Sequence, residues 1–206
     1  MTEVSRPSWL GQALTWAARL SRIGVWVGGA LTLASVLLIS YDVTVRRLFG
    51  VTMGGSDELS SYAFAISTAW ALAYTVLERA NVRVDVIYQH LPVRVAAVLD
   101  WLALVSLGVF AFILTYHTHQ VALQSWEMGA KANTPLATPL WAPQFLWVAG
   151  LAWFSLVLAL MLVRASTALV TGDLKTLNAL CGVKSAQEEA QEEADMGVRM
   201  VKGDVT

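Results

Sequence analysis

Trp101–Trp126 reads WLALVSLGVFAFILTYHTHQVALQSW, 26 residues without one Asp, Glu, Lys or Arg. A soluble helix of that length would carry charge on its outer face. Ile23–Tyr41, Leu59–Leu77 and Ala132–Val163 share the property. Each is close to or longer than the roughly 20 apolar residues that cross a ~30 Å hydrocarbon core as a helix. The expected fold is therefore all-α and integral to a membrane. Four transmembrane helices are expected over about 23–45, 58–77, 95–120 and 143–164. A segment 1–22 precedes them and a polar tail 165–206 follows.

Composition agrees. Charged residues are 14 % of the chain and mean hydropathy is +0.57, where soluble domains carry about 25 % charged residues. Cys181 is the single cysteine, so no internal disulfide framework exists. The first apolar segment is longer than a signal core of roughly 7–15 residues. Val45-Arg46-Arg47 follows it where a cleavage site would have small residues. It reads as a retained first helix.

Ahead of that helix, Trp9, Ala13, Trp16 and Leu20 share one helical face, and Gln12, Thr15, Arg19 and Arg22 another. This pattern predicts an amphipathic helix in the headgroup region, with Trp at the boundary and Arg toward phosphate. Gly24 and Gly28 form a small-xxx-small pair that permits close helix approach. Asp42 has Arg46 four residues later on its own face, so an i,i+4 pair is expected. Ser56, followed by Asp57 and Glu58, reads as a capped helix start with acids at the positive end of the dipole. In helix two, Ser61, Ala65, Ala69 and Ala73 make a ridge of small residues, a candidate helix–helix contact inside the chain or against another subunit. Glu78–Asp85 is a dense polar turn, and Glu127–Pro143 should be an extended loop.

Lys and Arg set the expected orientation. With both termini cytoplasmic, eleven of the fourteen basic residues lie inside; Arg46, Arg47 and Lys131 lie outside. The positive-inside rule favours that arrangement.

The sequence holds no nucleotide loop, Cys/His metal cluster or nucleophile elbow. His90 falls in a loop, and His117 and His119 point to different faces near one helix end. A haem bundle would place histidines on facing helices within the membrane. A transporter acting alone would place ionisable groups at the midplane. Here only Ser35, Ser67, Thr68 and Ser106 are polar near the middle, and each hydroxyl can return to its own helix backbone. The chain reads as a membrane scaffold that works with a partner. A four-helix redox subunit and a self-contained small transporter are the alternatives.

These details resemble a known family. Val45-Arg46-Arg47-Leu48-Phe49-Gly50 is similar to its exit from helix one, with Arg47 where an aromatic is usual. Ser56-Asp57-Glu58-Leu59 is similar to its entry to helix two. Arg79-Ala80-Asn81-Val82-Arg83-Val84-Asp85, then Leu91-Pro92, is similar to its second loop, with Asn81 in place of a common His. Thr134-Pro135-Leu136-Ala137-Thr138-Pro139-Leu140-Trp141 is similar to its last loop. Over roughly residues 20–170 the chain resembles the small membrane subunit of tripartite ATP-independent periplasmic (TRAP) transporters, the DctQ-like family.

The resemblance implies a non-enzymatic subunit of the bacterial inner membrane, without cofactor and without nucleic-acid partners. It implies a large membrane subunit that carries the Na⁺ and substrate sites and moves as an elevator. It also implies a periplasmic binding protein delivering an organic anion, usually a carboxylate. The polar tail after Arg164 implies that the large subunit is a separate chain. Under this resemblance Ser61, Ala65, Ala69 and Ala73 would face the large subunit or pack internally. Arg46 and Glu58 would form an outer ion pair or a lipid contact. Arg79, Arg83 and Asp85 would touch the large subunit or only fix topology. Lys131, Thr134 and Trp141 would belong to the dock for the binding protein.

Overall fold

The computed structural model describes residues 9–80, 92–182, 194 and 197, and its elements among them are helices. They are α1 (Trp9–Phe49), α2 (Ser56–Leu77), α3 (Val93–Glu127), α4 (Trp141–Thr171) and α5 (Leu174–Cys181). Of the expected site residues, Arg83 and Asp85 lie outside the described residues, as do residues 1–8 and most of the chain after 182. Three helices, α1, α3 and α4, are long and apolar enough to cross a membrane. The 22 residues of α2 reach ~33 Å at about 1.5 Å per residue, but Ser, Thr and Tyr lower its hydropathy. It lies between α1 and α4, so its flanks meet protein.

The separate interfacial helix expected over 9–22 is not a separate element. The helix runs unbroken through Arg22 and Ile23 to Phe49. Its buried residues explain why: Leu10, Leu14, Ala17, Ser21, Gly24 and Gly28 alternate four and three apart, and Ser35 and Asp42 continue the series. One stripe with this period keeps facing the same neighbours along the whole helix. Arg19 and Arg22 lie on exposed faces and do not interrupt it.

α1 and α2 form an antiparallel hairpin. Gly28 meets Ser67, where a Cβ would stand 3.2 Å from the Ser67 Cα, and Gly24 meets Trp70. The small-xxx-small pair is therefore the α1–α2 contact. α3 and α4 form the second hairpin, and α2 packs against α4. α4 is the hub. Its buried residues include Val148, Leu151, Phe154, Leu158, Met161 and Ala165. Three indoles tie the other long helices to it. Trp153 donates to Ser21 Oγ of α1 at 3.0 Å. Trp70 of α2 donates to the Leu146 carbonyl at 3.2 Å. Trp101 of α3 donates to Ser166 Oγ at 3.0 Å. The Trp101 indole thus points toward α4. No water competes for such bonds in hydrocarbon, and each is worth roughly 1 kcal/mol.

One apolar cluster joins Leu14 and Ala17 of α1 to Ala165 and Ala168 of α4 and to Leu177 of α5, which is fully buried. The start of α1 and the end of α4 therefore share one end of the bundle. The connections 50–55 and 128–140 share the other, here called the loop end. The short α5 was hidden in what reads as a polar tail. Asp173 caps it, accepting the Thr176 N–H at 3.1 Å.

Candidate functional site

The loop end is where the polar chemistry gathers. Asp42 closes the buried stripe of α1 and is only 4 % exposed. Its Oδ1 accepts the Met53 N–H at 2.7 Å, and the Thr52 hydroxyl donates to the same carboxylate at 3.1 Å. Asp42 therefore folds the 50–55 connection back onto α1. Its expected partner, Arg46, faces it at longer range. Ser56 departs from expectation for the same reason. α2 starts after Gly55 with no side-chain cap, because the Ser56 hydroxyl is turned toward Asp42.

Glu58 does the equivalent for the second connection and is 7 % exposed. Its carboxylate accepts from the Tyr62 hydroxyl at 3.0 Å and from the Thr134 hydroxyl, 76 residues away in sequence. Thr138 faces it with hydroxyl and backbone N–H. Among the described residues no ion pair joins Arg46 to Glu58; hydroxyl donors occupy the carboxylate. The two connections also touch directly. Gly54 takes φ +70 beside Pro135, and a Cβ on Gly55 would stand 3.1 Å from Leu136 Cδ1. A cleft of about 210 Å³ remains between them, lined by Asp42, Arg46, Thr52, Asp57, Glu58 and Thr134 among others. Charges this buried persist only when surrounded by donors. Both acids have them, and both act as clamps.

Residues 129–140 are folded, not extended as the sequence reading has them. Lys131 pairs with Pro139 in an antiparallel bridge, the Ala132 N–H donates to the Thr138 carbonyl at 2.9 Å, and the Leu140 N–H donates to the Ala130 carbonyl at 3.0 Å. Beside this turn lies a groove of about 290 Å³ lined by Trp126, Gly129, Lys131, Pro139 and Trp141. Trp126 and Trp141 meet edge to face, centroids 4.7 Å apart. The three expected docking residues thus divide. Exposed Lys131 and half-buried Trp141 share the groove, while Thr134 directs its hydroxyl inward to Glu58.

The small ridge of α2 divides as well. Ala69 is 1 % and Ala73 0 % exposed within this chain. Ala69 faces Gly150 of α4, and Ala73 belongs to the apolar cluster. Only exposed Ser61 and half-buried Ala65 remain for another subunit. The other half packs internally, one of the two alternatives: α2 and α4 need those small side chains to approach each other.

At the opposite end, Arg79 takes φ +56 directly after α2, and the Ala80 N–H closes the helix end on the Thr75 carbonyl at 3.0 Å. Glycine is the usual residue at such a turn. The arginine side chain supplies a reason for the exception. Its Nη1 donates to the Asn178 carbonyl at 3.3 Å and reaches the Gly182 carbonyl at 3.5 Å, at the negative end of α5. Arg79 therefore binds an internal helix end. Arg79→Gly relieves backbone strain as it loses these bonds; Arg79→Ala loses the bonds and keeps the strain. Arg79→Ala is expected to be about 1 kcal/mol less stable than Arg79→Gly in thermal unfolding in detergent. Equal stability of the two variants contradicts the strain argument.

Sequence reading missed the Met53 amide, Tyr62 and Thr138 as partners of the buried acids, and Gly150 and Trp70 as the α2–α4 contact. Asp42 and Glu58 inside apolar helices were the visible signals; their partners were not visible.

Residues 35–168 match the family described as tripartite ATP-independent periplasmic transporters, DctQ component. No curated protein and no solved structure matches the chain.

Proposed function

The chain belongs to the DctQ component family of tripartite ATP-independent periplasmic transporters, and from that premise we propose that it is the fixed membrane scaffold of its transporter. It is a transporter component and not an enzyme. In this reading it holds a separate, larger membrane subunit in a bacterial inner membrane and offers its loop end to a periplasmic binding protein. The large subunit carries the Na⁺ and substrate sites and takes up an organic anion, a carboxylate by the family's habit. All four long helices cross the membrane, with α2 kept from lipid on two sides by α1 and α4. Both termini face the cytoplasm, in line with the eleven-to-three split of basic residues.

The observation that carries the reading is where the polar groups go. Ser35, Ser67, Thr68 and Ser106 each return the hydroxyl to a carbonyl four residues earlier in their own helix. Thr115 and Ser155 satisfy each other between α3 and α4 at 2.9 Å. A hydroxyl that donates in this way has no proton left for a passing anion. Of the buried acids, Asp42 and Glu58 sit at the loop end and tie connections together, while Asp100 lies near the start of α3 at the opposite end. A chain that spends its polar groups on its own rigidity is suited to be a platform.

Pull-down of the tagged chain from native membranes in mild detergent, followed by mass spectrometry, tests the assembly. A much larger multi-span protein in near-equal amount is expected. Recovery of the chain alone across several mild detergents contradicts the scaffold role.

A further inference from the structure

A trough runs along the outside of the α1–α2 hairpin, about 480 Å³ in volume and almost wholly apolar. Ile23, Val27 and Leu31 of α1 form one wall, and Ile66 and Trp70 of α2 the other; Gly28 lies at its floor. The trough exists because the hairpin is closed by small residues. Side chains are missing at Gly24 and Gly28; Ser67 stands across from Gly28, and small Ala63 also lines the trough. The Ser67 hydroxyl donates to its own helix at the Ala63 carbonyl, 2.6 Å away, so it presents no free donor to the trough.

Shape and lining suit a lipid tail. Leu20 to Leu31 measures ~16 Å at about 1.5 Å per residue, and a methylene chain can lie along that length with carbon contacts at about 3.5–4 Å to apolar walls.

Its mouth has the chemistry of a headgroup site. One turn toward the N-terminus from Leu20 and Ile23, Trp16 and Arg19 are both exposed. The Arg19 guanidinium lies 5.5 Å from the Trp16 ring centroid. Trp favours the membrane boundary, and guanidinium binds phosphate oxygens through charge-assisted hydrogen bonds. Stacking on the indole holds the cation at the level where the trough opens.

We propose that this trough holds one acyl chain of an anionic phospholipid, with Arg19 and Trp16 binding its headgroup in the leaflet nearer the α1 N-terminus. The lipid fills a gap that protein leaves open in the α1–α2 hairpin. The proposal concerns this chain's own surface and does not depend on the scaffold role.

Native mass spectrometry of the full chain, with whatever membrane subunit copurifies, tests it. Phosphatidylglycerol or phosphatidylcholine is added as the probe. The expected result is one retained phospholipid, with phosphatidylglycerol preferred. Ala63→Phe puts a ring into the trough and should abolish retention. Arg19→Gln should reduce retention severalfold and erase the headgroup preference, with the folded chain's melting behaviour little changed. Benzoylphenylalanine at position 27 should crosslink to lipid. Retention unaffected by both substitutions overturns the proposal. So does a crosslink from position 27 to a protein helix in place of lipid.

Discussion

Glu58→Leu is expected to leave the chain folded and assembled while uptake that depends on the binding protein falls severalfold. Glu58 is the hinge pin of the loop end: one carboxylate accepts from Tyr62 in its own helix and from Thr134 in the distant 129–140 turn. Leucine fills the space and accepts nothing. The Thr134 hydroxyl then loses its partner, and the turn bearing Lys131 is released from α2. The α2–α4 seam lies deeper and is untouched, so copurification with the large subunit should persist. Glu58→Gln keeps one acceptor oxygen and should fall between wild type and leucine. The informative measurement is uptake as a function of binding-protein concentration. A raised half-saturating concentration with preserved complex yield supports the platform reading; an unchanged one removes the loop end from docking.

Gly150→Leu is expected to have the larger effect on stability, a loss of about 3 kcal/mol or more, because overpacking that relaxation cannot absorb costs at least the usual 1–3 kcal/mol. A Cβ at position 150 would lie 2.8 Å from Trp70 Cδ1 and 3.0 Å from Ala69 Cβ. Both neighbours belong to α2. Trp70 cannot swing away without giving up its bond to the Leu146 carbonyl and its contact with Gly24. A leucine therefore pushes α2 off the hub helix. Chemical unfolding in mixed micelles should show the loss for the isolated chain, before any partner is added. Ala69→Leu attacks the same seam from the other side and should behave alike. Wild-type stability of the isolated Gly150→Leu chain would mean that α2 and α4 do not pack as described.

The sequence was a good guide to what hydrocarbon demands and a poor one to what tertiary contact decides. Charge-free stretches mark the long helices because an unpaired charge in lipid is so costly. The midplane hydroxyls were legible for a similar reason: with no water nearby, the carbonyl four residues back is the ready acceptor. Gly24 and Gly28 were visible as a contact pair, though their neighbours Trp70 and Ser67 were not. Local rules failed where a distant partner competed. Asp42 had a plausible i,i+4 partner in Arg46, yet a backbone amide 11 residues away holds it. Ser56 had the pattern of a cap, yet its hydroxyl turns to that same acid. Glu58 meets Thr134 only because two loops fold over each other, which no helical period reports. The separate helix expected over 9–22 rested on its two faces and on Arg19 and Arg22, and an exposed arginine does not end a helix whose buried stripe continues. α5 was missed because it is only eight residues long, although Gly172-Asp173 marks its start.

The scaffold claim is tested most directly by transport in proteoliposomes with an inward Na⁺ gradient. Three preparations are compared, each given the binding protein and its radiolabelled ligand: this chain alone, the copurified large subunit alone, and the two together. No uptake by this chain alone and full uptake only by the pair is the predicted result. Gradient-driven uptake by this chain by itself would contradict the account, since it would require a pathway through helices with no ionisable group near their middle.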